Sequence, residues 1–189
     1  MEHFGAAYVF INFEQAMALG HIGWGFLAED NRYFFGSTDH LWNRKYPLWY
    51  APELIRYMDV APGANNDYWS AFGTEEEMLE MMRSGPHVRY HSYKRIPVLN
   101  PDPGAACMLA ETMKDIGWNV VRNNCVHQSN AILTKYGGTI LPNAYTPLDR
   151  IPRKWFAAID AEEIVLQPRS RNVLPMKLHT YAQTKRKAS

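Results

Sequence analysis

Two aromatic runs, HIGWGFL at 21–27 and RYFFG at 32–36, are separated by only four residues, Ala28-Glu29-Asp30-Asn31. A link so short and polar leaves the second run little choice but to turn back along the first. The aromatic residues on either side favour strands, so the spacing predicts an antiparallel hairpin. An earlier run, Ala6-Ala7-Tyr8-Val9-Phe10-Ile11, has the apolar, β-branched and aromatic make-up of a further strand. His21 therefore stands at the start of one strand of a small sheet, beside glycines that leave room for a neighbour.

A sheet needs helices to cover it, and the later sequence supplies three candidates. Thr74 precedes three glutamates and then Met78, Leu79, Met81 and Met82, which reads as an N-capped helix with an acidic first turn. Ala106, Leu109, Ala110, Met113 and Ile116 recur at helical spacing from Gly104, and Gly117 closes the segment. After a brief extended link, Trp118 to Val121, the stretch NNCVHQSNAILTKYGG carries an apolar face at Ala131, Ile132 and Leu133 and ends on Gly137-Gly138. Val88 to Val98 has strand character and stops at Asn100-Pro101-Asp102-Pro103. Residues 41–73 are aromatic, punctuated by proline and irregular. They read as a surface excursion with a short helix from Glu53 to Met58. The expected fold is α+β, with one domain over 1–167, an aromatic-rich insertion at about 41–73, and a basic tail over 168–189.

Composition narrows the function classes. With 20 basic and 19 acidic residues the chain carries a formal charge of +1, so no global field selects nucleic acid or anionic lipid. No apolar run is long enough to span a bilayer, and the N-terminus lacks the basic and cleavage-site features of a signal peptide. The two cysteines, Cys107 and Cys125, do not make a disulfide framework, and a reducing cytoplasm is the expected compartment. Spacings for zinc or a nucleotide phosphate are missing, so neither a metal nor a cofactor is expected. Past Glu163 the chain has six basic and no acidic residues. That tail lacks aromatic interleaving and reads as solvated or docked rather than as a nucleic-acid binder. Composition does not decide the oligomeric state.

Cys125 is the residue with chemical promise. A thiol at a helix N-terminus meets unpaired N–H groups and the positive end of the dipole, which favour thiolate and can also hold an oxyanion. A thiol nucleophile needs a base, most often histidine. Of His3, His21, His40, His87, His91, His127 and His179, the best placed is His21. His127 lies two residues after Cys125, so on a helix the two point to different faces. Taken singly, a cysteine beside a helix is more often structural than catalytic, and a histidine at a strand start is more often a polar edge residue. Trp42, Tyr46, Trp49, Tyr50, Tyr57, Tyr68 and Trp69 suit packing better than a substrate groove, and Met78, Met81 and Met82 suit a core.

Two stretches together change that balance. HIGWGFLAEDNRYFFGSTD resembles the histidine motif of the PPPDE peptidases, the desumoylating-isopeptidase-like group. NVVRNNCVHQSNAILTKYGGTILP resembles the cysteine motif of the same group and, more weakly, the Asn-Cys-x-His block of the lecithin:retinol acyltransferase group. The resemblance covers 21–39 and 119–142 and implies a circularly permuted, papain-like core of the NlpC/P60 type. In that branch the histidine precedes the cysteine, as His21 precedes Cys125. It implies Cys125 as nucleophile and His21 as base. Acyltransferase-type relatives carry a further polar residue on the next strand, where this chain has Phe35, and that departure favours a dyad. Asn124, Gln128 and Asp39 are the candidates for orienting His21 or supporting an oxyanion. The implied activity is a cysteine peptidase, isopeptidase or amidase acting on a peptide, an isopeptide-linked protein or an acyl substrate. The alternatives are a thiol acyltransferase, a lipid hydrolase, and an inactive binding module.

Overall fold

A computed structural model describes residues 3–16, 18–39, 59–65, 67–84, 90–137 and 141–168. Its centre is a six-stranded, wholly antiparallel sheet built from β1 (Phe4–Asn12), β2 (His21–Leu27), β3 (Tyr33–Thr38), β5 (Tyr68–Gly73), β6 (Ser92–Leu99) and β8 (Glu163–Val165). Their order across the sheet is β5-β3-β2-β1-β6-β8. Two short strands, β4 (Asp59–Val60) and β7 (Trp118–Asn119), pair separately. The expected hairpin forms with Leu27 opposite Tyr33 and Trp24 opposite Gly36. Its tight link turns at Asp30 and Asn31, whose φ values of 59° and 56° lie in the left-handed region that short polar side chains tolerate.

Alternation along β1 sorts the core into two layers. Ala7, Val9 and Ile11 face one side, Tyr8 and Phe10 the other, and all five are buried. A central strand covered on both faces has no polar side to show, which explains its unbroken apolar run. Helix α1 (Glu75–Ser84) covers the Tyr8 face with Met78 and Met82. Thr74 and Glu77 cap it reciprocally, each side-chain oxygen accepting the other's backbone N–H. On the opposite face lie α2 (Pro103–Ile116), α3 (Cys125–Tyr136) and α4 (Pro152–Ala158). They bury Ala110, Met113, Ile132, Tyr136, Trp155 and Phe156 against Ile22, Trp24 and Phe26. The mixed α+β class and small antiparallel sheet agree with the sequence. No helix among the described residues is long and apolar enough to cross a membrane.

Three features differ from the expectation or extend it. Tyr68–Gly73 belongs to the sheet as edge strand β5, not to an irregular excursion. The run YWSAFG has no β-branched residue and follows a polar turn, so its order comes from backbone pairing with β3 rather than from local preference. Helix α4, which adds Trp155 and Phe156 to the core, and the exposed edge strand β8 form without any strong periodic signal. The helix expected from Glu53 to Met58 lies outside the described residues, as do Trp42, Tyr46, Trp49, Tyr50, Tyr57 and the tail beyond Pro168.

The β3–β5 pairing depends on a close approach at Gly36, where an added Cβ would stand 2.2 Å from the Trp69 carbonyl oxygen and 3.0 Å from Ser70 Cα. Both are backbone atoms that cannot rotate aside. Gly36→Ala should therefore cost about 1–3 kcal/mol in urea unfolding and speed hydrogen exchange in β5 ahead of β1. Unchanged stability and exchange would show that β5 is not held this way.

Candidate active site

Helix α3 starts at Cys125 because Asn124 is a complete N-cap. Its Oδ1 accepts the N–H groups of Val126 at 2.9 Å and His127 at 3.3 Å, while its Nδ2 donates to the carbonyls of Val120 and Arg150, each at 3.1 Å. His127 returns the cap, its Nδ1 accepting the Asn124 N–H at 3.3 Å. The Gln128 N–H bonds to the Asn124 carbonyl at 3.0 Å. Every neighbouring N–H of the first turn is thus taken. The donor left without a partner among the described residues is that of Cys125 itself, beside its own sulfur.

His21 reaches the same place from the sheet. It is the first residue of β2, opposite Asn12, and shares a strand face with Gly23 and Gly25. Tyr90 occupies the space the sequence reserves beside it: a Cβ on Gly23 would lie 2.7 Å from the Tyr90 hydroxyl, and the Tyr90 ring stacks on the His21 imidazole at 6.0 Å between centroids. His21 Nε2 is 2.9 Å from Ser37 Oγ and 2.9 Å from Asp39 Oδ1. Because Ser37 Oγ donates to the Ile22 carbonyl at 3.1 Å, it receives rather than gives toward the imidazole, and the Nε2–H is shared between two acceptors. Cys125 acts on the same ring electrostatically, and with Nε2 occupied by Ser37 and Asp39 the nitrogen left for the thiol is Nδ1.

Asp39 closes the arrangement. The Trp69 indole N–H donates to its Oδ2 at 2.6 Å, the Tyr90 hydroxyl donates to its Oδ1 at 3.2 Å, and its own N–H bonds to the Asp67 carbonyl at 2.9 Å. Cys125 and His21 are each 5% exposed and Asp39 only 2%, so water does little to screen charge here. Burial alone would push the imidazole toward neutrality. The interaction with Cys125, together with the hydrogen-bonded carboxylate of Asp39, outweighs it and raises His21 to about 10. His127 moves the other way, lowered by burial and by the nearby Arg150 charge. A thiol at a helix N-terminus, an imidazole held in its charged form and a free N–H beside the sulfur can together support nucleophilic attack on a carbonyl.

The five residues singled out from sequence fall into two groups. Cys125, His21 and Asp39 converge. Asn124 and Gln128 serve the scaffold: Gln128 Oε1 accepts from Thr38 Oγ1 at 2.7 Å, and its Nε2 donates to the Gly117 carbonyl at 3.1 Å. Phe35 is buried with Met78 on the Tyr90 side of the sheet, and the polar partner on that strand face comes four residues later, at Asp39. Ser37, Trp69 and Tyr90 were missed. Strand alternation carries one usable signal, because Phe35, Ser37 and Asp39 share a face and two of the three are polar. Nothing local marks Tyr90, whose role depends on the missing side chain at Gly23. A groove of about 1270 Å³ under α1, lined by Phe35, Phe72, Leu79 and Met81, lies apart from both Cys125 and His21. No cluster of metal-ligating side chains exists among the described residues. In comparisons with known proteins, no family model, no curated protein and no solved structure matches the chain.

The raised pKa of His21 gives stability a pH dependence of definite sign. An unfolded imidazole titrates near ~6.5, so below that value both states are protonated and the contribution is complete. As pH rises through about 10 the folded form also loses its proton and the contribution disappears. Unfolding free energy should fall with rising pH over this window by a component that His21→Ala lacks. A His21-dependent component that grows with pH would contradict the assignment.

Proposed function

We propose that the protein is a cysteine hydrolase that cleaves an amide or isopeptide bond through a thioester. The observation that supports this reading is one buried imidazole held between a thiol at a helix N-terminus and a clamped carboxylate. The order of the two residues in the chain agrees with the peptidase group that its motifs resemble. Cys125 Sγ, as thiolate, attacks the carbonyl carbon, and the charge that develops on oxygen meets the Cys125 N–H. The imidazolium of His21 gives its Nδ1 proton to the leaving amine as the C–N bond breaks. Water then attacks the thioester, with the neutral imidazole taking its proton. Release of the acid restores thiolate and imidazolium. Asp39 stays a hydrogen-bond acceptor that orients and stabilises the charged ring, making the arrangement a triad rather than a dyad.

Labelling with a thiol-directed acyl probe tests this. Cys107 is an internal control, because burial pushes its thiol up to about 11. Cys125→Ala should abolish rapid labelling, and His21→Ala should slow it by about 10²- to 10⁴-fold. Incubation with peptide, isopeptide and phospholipid panels, followed by mass measurement on Cys125, then separates the substrate classes. An acyl adduct from phospholipid alone would move the reading to acyl transfer or lipid hydrolysis. Labelling unchanged in both variants would rule the pair out.

A further inference from the structure

We propose that Trp69 and Tyr90 are positioning residues that fix the Asp39 carboxylate, and through it hold His21 with Nε2 toward Asp39 and Nδ1 toward Cys125. This rests on the hydrolase reading of the site. Asp39 follows the last residue of β3, its N–H still bonded to the Asp67 carbonyl, but its side chain has two torsions that the backbone does not set. Left to itself such a carboxylate could turn either oxygen to the imidazole, or neither. The two donors remove that freedom by dividing the oxygens. Trp69 takes Oδ2 at 2.6 Å, and Tyr90 shares Oδ1 with His21, at 3.2 and 2.9 Å. Each donor is placed by a separate part of the fold. Trp69 stands opposite Ser37 in the β3–β5 register, two residues before Asp39, which brings its indole alongside the carboxylate. The Tyr90 N–H bonds to the Met82 carbonyl at 2.8 Å near the end of α1, and its ring enters the space above Gly23.

Tyr90 also acts on the ring directly. Its plane lies 28° from that of the imidazole, so a rotation of His21 about its Cβ–Cγ bond meets the phenol face. One residue thus holds the plane of the ring and the other the acceptor it points to. Removing the Tyr90 hydroxyl leaves the stack and loses one donor to Oδ1, whereas removing the indole N–H leaves the packing of β5 and loses the Trp69 donor to Oδ2. Either change lowers the share of molecules in which Nδ1 faces the thiol. The effect reaches Cys125 only through His21.

The test is the rate of iodoacetamide alkylation of Cys125 against pH, in full-length protein carrying Cys107→Ser, compared among wild type, Trp69→Phe, Tyr90→Phe and His21→Ala. The expected result is cooperative melting with native circular dichroism in both aromatic variants. Alkylation near neutral pH should be slower by roughly tenfold or more. The inflection of the rate against pH should move in the same direction in both variants. Trp69→His, which keeps a ring N–H, should recover part of the rate. Trp69 is half-buried on an edge strand, so Trp69→Phe decides the matter if Tyr90→Phe loses the fold. Wild-type rate and inflection in Trp69→Phe, with His21→Ala still slow, would overturn the positioning role and leave the hydrolase reading standing. Wild-type reactivity in His21→Ala would overturn the hydrolase reading, and this proposal with it.

Discussion

A buried imidazole normally gives up its proton, because a charge taken out of water and left without a partner costs more than the neutral ring. His21 keeps its charge because the carboxylate of Asp39 is hydrogen-bonded to its Nε2 and Cys125 adds to the stabilisation of the charged ring. The carboxylate is itself buried, so the same argument applies one step further back. Trp69 and Tyr90 supply the donors that make it tolerable there. The site is therefore a chain of compensations running from the edge strand to the helix N-terminus. Cutting it at one link leaves an uncompensated charge at the next.

The fold follows from the need to bring those links together. The two core layers are separate, yet His21 and Asp39 belong to the Tyr90 side of the sheet while Cys125 begins a helix on the other side. They meet because each lies at a terminus: the first residue of β2, the residue after β3, and the first residue of α3. Asn124 does as much as the sheet to fix this meeting, since its side chain ties the helix start to the chain before it and to the segment leading into α4. The same cap uses up the competing N–H groups and leaves the one beside the sulfur.

The sequence announced the parts of this arrangement that depend on local rules. The hairpin of β2 and β3 was legible from its four-residue link, α1 from Thr74 and its glutamates, and the start of α3 from Asn124 with Gly137 at its end. Cys125 and His21 were legible because a thiol at a helix N-terminus and a histidine at a strand start sit on features with known electrostatics. What was not legible depends on register and on absent atoms. Trp69 reaches Asp39 only once β5 pairs with β3 at one particular offset. Tyr90 reaches it only because residue 23 is glycine. Asp39 is one of three candidates the sequence offers, but the resemblance points to the position of Phe35, and Asp39 lies two alternations further along that strand face. Asn124 and Gln128 looked available because sequence shows the polar groups and hides the partners that occupy them.

The central claim is that His21 is a charged group within a closed interior, and the protonation state of its ring tests that directly. Nitrogen-15 spectra of histidine-labelled protein at about pH 8 should show both His21 nitrogens carrying protons, with the signals assigned by their loss in His21→Ala. An unfolded imidazole would be almost entirely neutral there. The charged form should persist until the pH approaches about 10. A neutral His21 ring at about pH 8, with one nitrogen bare, would contradict the account.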